Sequence, residues 1–278
     1  MQIDPRRHNL RVALAVLGLG LIANPAATAA TNSTALQPLP AKVDLRPKFD
    51  EWGLPPRNQG SRPTCSVFTF TGELEFAVAN AQQRGERLSV EFLNWAANQT
   101  GRGARDGGFF SDMWAGFATH GICPEKQMPY QAEFNATNSP STEVQAEAKA
   151  KLALGLHLHW IKKWNVDTGL SNDEFAGIKQ TLNAGWPVCG GFRWPKQDKW
   201  QDDVLQMCPP EDVFDGHSVL LVGYRDDSAQ LGGGVFIFRN TNRGGRDGFL
   251  PYAYAQAYLN DAVWIESKSP TTNPPTKL

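Results

Sequence analysis

The sequence predicts an α+β protein, helical in its first half and strand-rich in its second. Three observations carry this. Apolar residues recur at three- and four-residue spacing between positions 64 and 120. Alternating and continuous apolar runs dominate after position 150. Clusters of Gly, Pro, Asn, Ser and Thr separate the two regimes. With 278 residues, 41% of them hydrophobic, the chain can bury a full core. Its net charge of −1 lacks the basic excess that nucleic-acid binding requires, so no nucleic-acid partner is expected.

Residues 1–30 carry a basic start (Arg6, Arg7, Arg11), an apolar run over 12–23 and small residues ending at Ala29 and Ala30, the layout of a cleavable signal. The run is shorter than the roughly 20 apolar residues a membrane span needs. An exported protein, periplasmic or extracellular, without a membrane span after cleavage and monomeric, is the expectation. Residues 31–42 read as a linker, 43–266 as the folded part (helical over about 51–134, strand-rich over about 144–266), and 267–278 as a Pro/Thr/Lys-rich disordered tail.

The first long helix should run from Thr64 to Arg84, with Val67, Phe70, Leu74, Ala77, Val78 and Ala81 on its core face and Gly85 as its stop. A second begins near Ser89, with Phe92, Leu93 and Ala96 on one side. A third follows Ser111 and ends at Gly121. Strands are expected in the apolar runs 152–160, 187–194, 218–224 and 235–239. Gly232-Gly233-Gly234 makes the turn between the last two, because glycine tolerates the positive φ angles of tight turns.

None of the four cysteines forms a C-x-x-C pair, which argues against a zinc site or a dithiol redox motif, and no cofactor or metal is expected. Cys65 sits at the predicted start of the first helix, where unpaired N–H groups and the helix dipole favour a thiolate. Position alone leaves a nucleophile and a buried structural cysteine both open. If Cys65 stays free, at most one internal disulfide can form, and Cys189 with Cys208 is the pairing expected. His217 precedes the apolar run 219–222, where a rigid strand can hold an imidazole in register. His157 and His159 alternate on one strand face without a third metal ligand nearby, and His120 lies at a helix end. Asn240 closes the run 235–239. It is either a strand-end asparagine or the acceptor that fixes the imidazole tautomer, and spatial adjacency decides between them.

Asn58-Gln59-Gly60-Ser61-Arg62-Pro63-Thr64-Cys65 resembles the active-site segment of papain-like cysteine peptidases. Val43-Asp44-Leu45-Arg46 is similar to the family's mature N-terminus. Arg105-Asp106-Gly107-Gly108 resembles its glycine segment lining the substrate cleft. Gly121-Ile122-Cys123-Pro124-Glu125, Gly216-His217-Ser218-Val219 and Arg239-Asn240-Thr241 resemble its later segments in order. The resemblance spans residues 43–266. It implies a two-domain fold, with a helical left domain, an antiparallel β-barrel-like right domain and the active-site cleft between them. It implies further a cysteine peptidase cleaving peptide or protein substrates, with Cys65 as nucleophile, His217 as acid/base, Asn240 as orienter, Gln59 in the oxyanion hole, and Gly107 and Gly108 binding substrate.

The chain departs from the family pattern at four places. Arg62 and Pro63 replace the family's Cys and Gly, removing the usual disulfide from that position. Ser66 follows the nucleophile where an aromatic residue is common. The tract 193–215 is long, and its Trp194 and Trp200 either cap the cleft or pack on the surface, the surface reading being the expected one. Asn240 is followed by Thr241-Asn242-Arg243, without the tryptophan that shields the family's Asn–His hydrogen bond. That loss supports the alternative of a catalytically weak or inactive papain-like protein that binds peptides or a partner protein, which the retention of Gln59, Cys65, His217 and Asn240 together opposes.

Overall fold

A computed structural model describes residues 38–267, which belong, from Leu39 onward, to one compact unit. The signal pattern and all but the first residue of the tail lie outside the described residues. The end of the expected linker is pinned to the fold. Strand β1 (Lys42–Asp44) pairs with a later strand, and the Pro40 carbonyl accepts a hydrogen bond from Tyr224 Oη at 2.9 Å. Ser267, at the start of the expected tail, is buried, and its hydroxyl accepts from Asn80 Nδ2 at 2.9 Å.

Four helices follow: α1 (Arg46–Glu51), α2 (Cys65–Gln82), α3 (Val90–Ala97) and α4 (Phe110–His120). The Ser89 hydroxyl caps α3 by accepting from Phe92 N–H at 2.9 Å, and Gly121 ends α4 with φ 72°. Helix α2 ends earlier than Gly85 implied, at Gln83 in the left-handed region (φ 53°). Gly85 serves close packing instead, since a Cβ there would overlap the Trp52 carbonyl. The remaining elements are α5 (Thr142–Ala148), β2 (His157–Lys162), α6 (Asn172–Asn183), β3 (Val188–Pro195), β4 (Trp200–Gln201), β5 (Val204–Leu205), β6 (Val213–Asp226), β7 (Gly234–Asn240), β8 (Arg246–Pro251), α7 (Tyr252–Tyr258) and β9 (Leu259–Glu266). Gly232 and Gly233, with φ of 84° and 86°, sit in the turn between β6 and β7 as expected.

The strands form one sheet in the order β2-β9-β3-β6-β7-β8-β5-β4, with β1 also on β6; all pairings are antiparallel except β5 with β8. The sheet is open rather than closed like a barrel, because β2 and β4 end the order without pairing each other. Both its faces are covered. Leu220, Val222 and Ile237 join the core built on α1–α4. Their neighbours Val219, Leu221, Phe236 and Phe238 join a second core with Ile178 and Leu182 of α6 and Tyr254 of α7. Two covered faces explain why β6 and β7 read as continuous apolar runs. The same geometry overturns the expected Cys189–Cys208 disulfide. Cys189 belongs to the first core and Cys208 borders the second, on opposite faces of the sheet, and all four cysteines are free.

Helix α2 differs most from its amphipathic prediction. Its residues from Ser66 to Ala79 are buried on nearly every side, because α3 and α4 cover one flank and the sheet covers the other. Two glutamates are buried with it. Glu75 is held by Arg57 at 3.2 Å and Arg87 at 3.1 Å. Glu73 accepts Ile265 N–H at 2.9 Å through one oxygen, while the other has no partner. Burial therefore raises the Glu73 carboxyl well above its ordinary value of 4.5, so the folded protein keeps a proton that the unfolded chain releases. Its contribution to stability is complete below about 4.5 and is lost as the pH rises, at up to ~1.4 kcal/mol per pH unit. Glu73→Gln should remove that slope. Urea unfolding at pH 5 and pH 8 checks it: the variant should gain on the wild type at pH 8, and a pH-independent difference would refute the assignment.

Candidate active site

The site begins where α2 begins. Cys65 is the helix's first residue and only partly exposed, its thiol directed at the Gly216 carbonyl at 3.7 Å. Gly216 lies at an irregularity between β3 and β6: Phe192 pairs with His217 and Arg193 with Asp215, so Gly216 is passed over, at φ 110°. That places residues 216–218 beside the sulfur.

His217, 4% exposed, donates from Nε2 to Asn240 Oδ1 at 2.9 Å, and the same oxygen accepts Asn242 N–H at 3.0 Å. An acceptor on Nε2 fixes the tautomer and leaves Nδ1 as the basic nitrogen. Asn240 is thus spatially adjacent to His217, the condition that sequence could not supply. Burial lowers His217 to about 4, against the opposing pull of the Asn240 bond and the Asp198 charge. Burial also raises the Cys65 thiol, although bonds from Ser218 and from the N–H groups of Ser66 and Cys65 at the helix start act the other way. The helix terminus therefore does not by itself produce the thiolate that its position suggested. Each charge is disfavoured alone, and proton transfer from Cys65 to His217 is the ionisation that adds no net charge to the pair.

Gln59 is fixed at every polar atom. Its N–H donates to the Thr241 carbonyl at 3.0 Å and its carbonyl accepts from Tyr130 Oη at 2.9 Å. Side-chain Nε2 donates to the Arg62 carbonyl at 2.9 Å, and Oε1 accepts from the Thr241 hydroxyl at 2.5 Å. One Nε2 hydrogen remains for a further acceptor. The residue after Asn240 thus orients the Gln59 amide, joining strand β7 to the loop ahead of α2.

Gly107 and Gly108 part company. Gly108 lines the cleft with His217, whereas Gly107 (φ 67°) turns toward Pro63, where a Cβ would meet the carbonyl at 2.5 Å. The cleft is walled by Phe109, Phe110 and Trp164, with Asp261 at its margin. The Phe109 and Trp164 rings meet edge-on at 5.2 Å. Burial raises the Asp261 carboxyl to about 7, with the Gly191 backbone and Lys162 pulling it back. Gly191 makes room for it, since a Cβ there would overlap Asp261 Oδ1.

Residues 39–268 match the model of the papain family cysteine proteases. The chain belongs to this family. Its fold is similar to xylellain, a cysteine protease from Xylella fastidiosa (22% identity, 83% of this chain and 87% of that one, TM-score 0.64). It is also similar to the digestive procathepsin L 3 of Tenebrio molitor larval midgut (20% identity, 84% and 71%, TM-score 0.59). The ragweed pollen allergen Amb a 11, a cysteine protease in its proform, matches at 18% identity over 87% of this chain and 63% of that one, with a TM-score of 0.58. Among curated proteins, none matches the sequence.

Two departures from the family pattern have visible counterparts. Arg62, where the family has cysteine, is buried and bound by Glu91 at 2.6 Å and Asp106 at 2.7 Å. It also donates to the Gln131 carbonyl at 2.8 Å, and the Tyr130 ring lies 4.6 Å from its guanidinium carbon. It ties the Gln59–Cys65 loop to α3 and to the glycine segment. Trp194 is not surface-packed as expected: it is 5% exposed and lies edge-on to the His217 ring at 4.6 Å. Sequence reading also missed Trp164 and Asp261. The signal for Asp261 was an acidic residue directly before the apolar run Ala262–Ile265, which a covered sheet face does not accept without a reason.

Arg62→Ala should leave Glu91 and Asp106 buried beside each other without a counter-charge, at a cost of about 3–5 kcal/mol. Chemical unfolding measures it, and a loss under ~1 kcal/mol, the range of exposed pairs, would show that the cluster does not anchor the loop.

Proposed function

We propose that this protein is an exported cysteine peptidase that hydrolyses peptide bonds through a Cys65–His217–Asn240 triad. The observation that carries the reading is the 2.9 Å bond from His217 Nε2 to Asn240, with the Cys65 thiol at the helix start beside residues 216–218. Cys65 gives its proton to His217 and its sulfur attacks the peptide carbonyl carbon. The oxyanion accepts from the free Gln59 amide hydrogen and the Cys65 N–H. His217 then protonates the leaving amine, the C–N bond breaks, and a thioester remains on Cys65. Water, deprotonated by His217, hydrolyses the thioester and restores the thiol. The aromatic walls of the cleft suit a substrate side chain with an apolar body. Export is read from the pattern of residues 1–30.

A mixed pool of unmodified peptides, incubated with the mature chain under mild reductant and read by mass spectrometry, should be cleaved, and Cys65→Ala should abolish the cleavage. No cleavage by the folded wild type would refute the peptidase reading in favour of a peptide-binding one. Gln59→Ala should lose about 2.7–4 kcal/mol of transition-state stabilisation in kcat, as for a single oxyanion donor; an unchanged rate would remove Gln59 from the mechanism. Because Cys65 is a poor thiolate without its partner, His217→Ala should slow alkylation of Cys65 by iodoacetamide at pH 6 by more than about tenfold. Equal rates would show that His217 does not take the proton.

A further inference from the structure

We propose that Trp194 is the positioning residue that holds the His217 ring against Asn240 and keeps water from their hydrogen bond. It acts from β3, in place of an aromatic residue after Asn240, where Thr241-Asn242-Arg243 stand. The kinetic part of this inference rests on the peptidase reading, and the structural part does not.

The Trp194 ring meets the imidazole at 4.6 Å and 65°, an edge-to-face contact that fixes an aromatic ring in orientation as well as place. Trp194 cannot easily withdraw. Phe238 and Tyr254 each lie 6.1 Å from its ring, and the Tyr254 hydroxyl donates to the Arg193 carbonyl at 2.9 Å, holding the strand just ahead of it. On its outer side stands Trp200, at 6.5 Å. Trp200 comes from the long tract before His217, and that tract is built to keep it there. Its indole N–H donates to Asp198 at 2.6 Å, the β4–β5 hairpin joins the sheet through Val204 beside Phe249, and Gly248 leaves space for the ring. The Arg243 guanidinium, from the segment that lacks the tryptophan, lies 4.2 Å from the Trp200 ring. The extra tract and the altered Asn240 loop therefore meet over one aromatic stack whose inner end is His217.

A hydrogen bond between a buried imidazole and an amide weakens when water can compete for the acceptor, and the freed ring can turn away from the thiol. The groups that bear on His217 are few: the neutral Asn240 from β7 and the Asp198 charge from the long tract, with the Cys65 thiol of α2 at the neighbouring Gly216 carbonyl. Trp194 brings no charge of its own, so its influence runs through exclusion of water and through orientation.

The test is an NMR titration of the His217 ring, assigned with a His217→Gln spectrum, in a Cys65→Ala background that removes the thiol's own titration. In that background His217 should titrate well below the ordinary histidine value. Adding Trp194→Ala should raise its midpoint by about one pH unit or more toward 6.5, and Trp194→Phe should restore it to within a few tenths. In the active chain, Trp194→Ala should lower kcat by about tenfold or more with KM within roughly threefold, as expected for a lost orientation of the acid/base. A residue that only fills the core would lower the melting temperature and leave the His217 midpoint unmoved, and that result overturns the proposal. Should the alanine variant not fold, Trp194→Leu takes the same test with the same criteria. If the wild type cleaves no peptide, the peptidase reading falls while the titration still decides the role of Trp194.

Discussion

Helix α2 has almost no face toward water, and the arrangement of everything else follows from that constraint. An 18-residue helix sealed between α3, α4 and the sheet must satisfy its polar groups internally. Glu75 does so through two arginines and the Leu88 N–H, while Glu73 does so only in part. The same burial fixes the helix axis, and with it the position of Cys65 at the one end that opens toward the cleft. A candidate nucleophile carried on a partly exposed helix would move with it, whereas this one is held by the packing of the first core.

From that fixed point, the machinery is joined by short bonds that cross between elements rather than run along them. Thr241 links β7 to the loop carrying Gln59 through both its carbonyl and its hydroxyl, so the Gln59 amide and the Asn240 acceptor of His217 are set by adjacent residues of one strand end. Tyr130 reaches both Gln59 and Thr64 from the far side of the helical half. Displacing one of these elements would therefore disturb several candidate groups at once.

Much of the architecture was legible in the sequence. The helix starts at Cys65 and Ser89, the strands around residues 188, 219 and 235, and the triglycine turn all follow from periodicity and punctuation, because those signals are local. What was not legible depended on which faces are covered. The all-round burial of α2 could not be read from an amphipathic stripe, since residues such as Thr69, Thr71 and Glu75 look like solvent-facing positions. The disulfide expectation failed because two cysteines close in sequence lie on opposite faces of a sheet. At the site, Cys65, His217 and Asn240 were identifiable as candidates from context and resemblance. Trp164 and Asp261 were not, and the contact of Trp194 with His217 was not, because their meaning comes from residues more than twenty positions away that only the sheet order brings near.

Arg62 shows what an ionic clamp changes about the way such a site is assembled. A covalent crosslink between the Gln59–Cys65 loop and the glycine segment would need an oxidant and could trap a wrong partner. The guanidinium binding Glu91 and Asp106 forms and re-forms with the fold itself. It holds in any thiol–disulfide balance, so the loop that presents the candidate nucleophile can be built where that nucleophile must remain reduced.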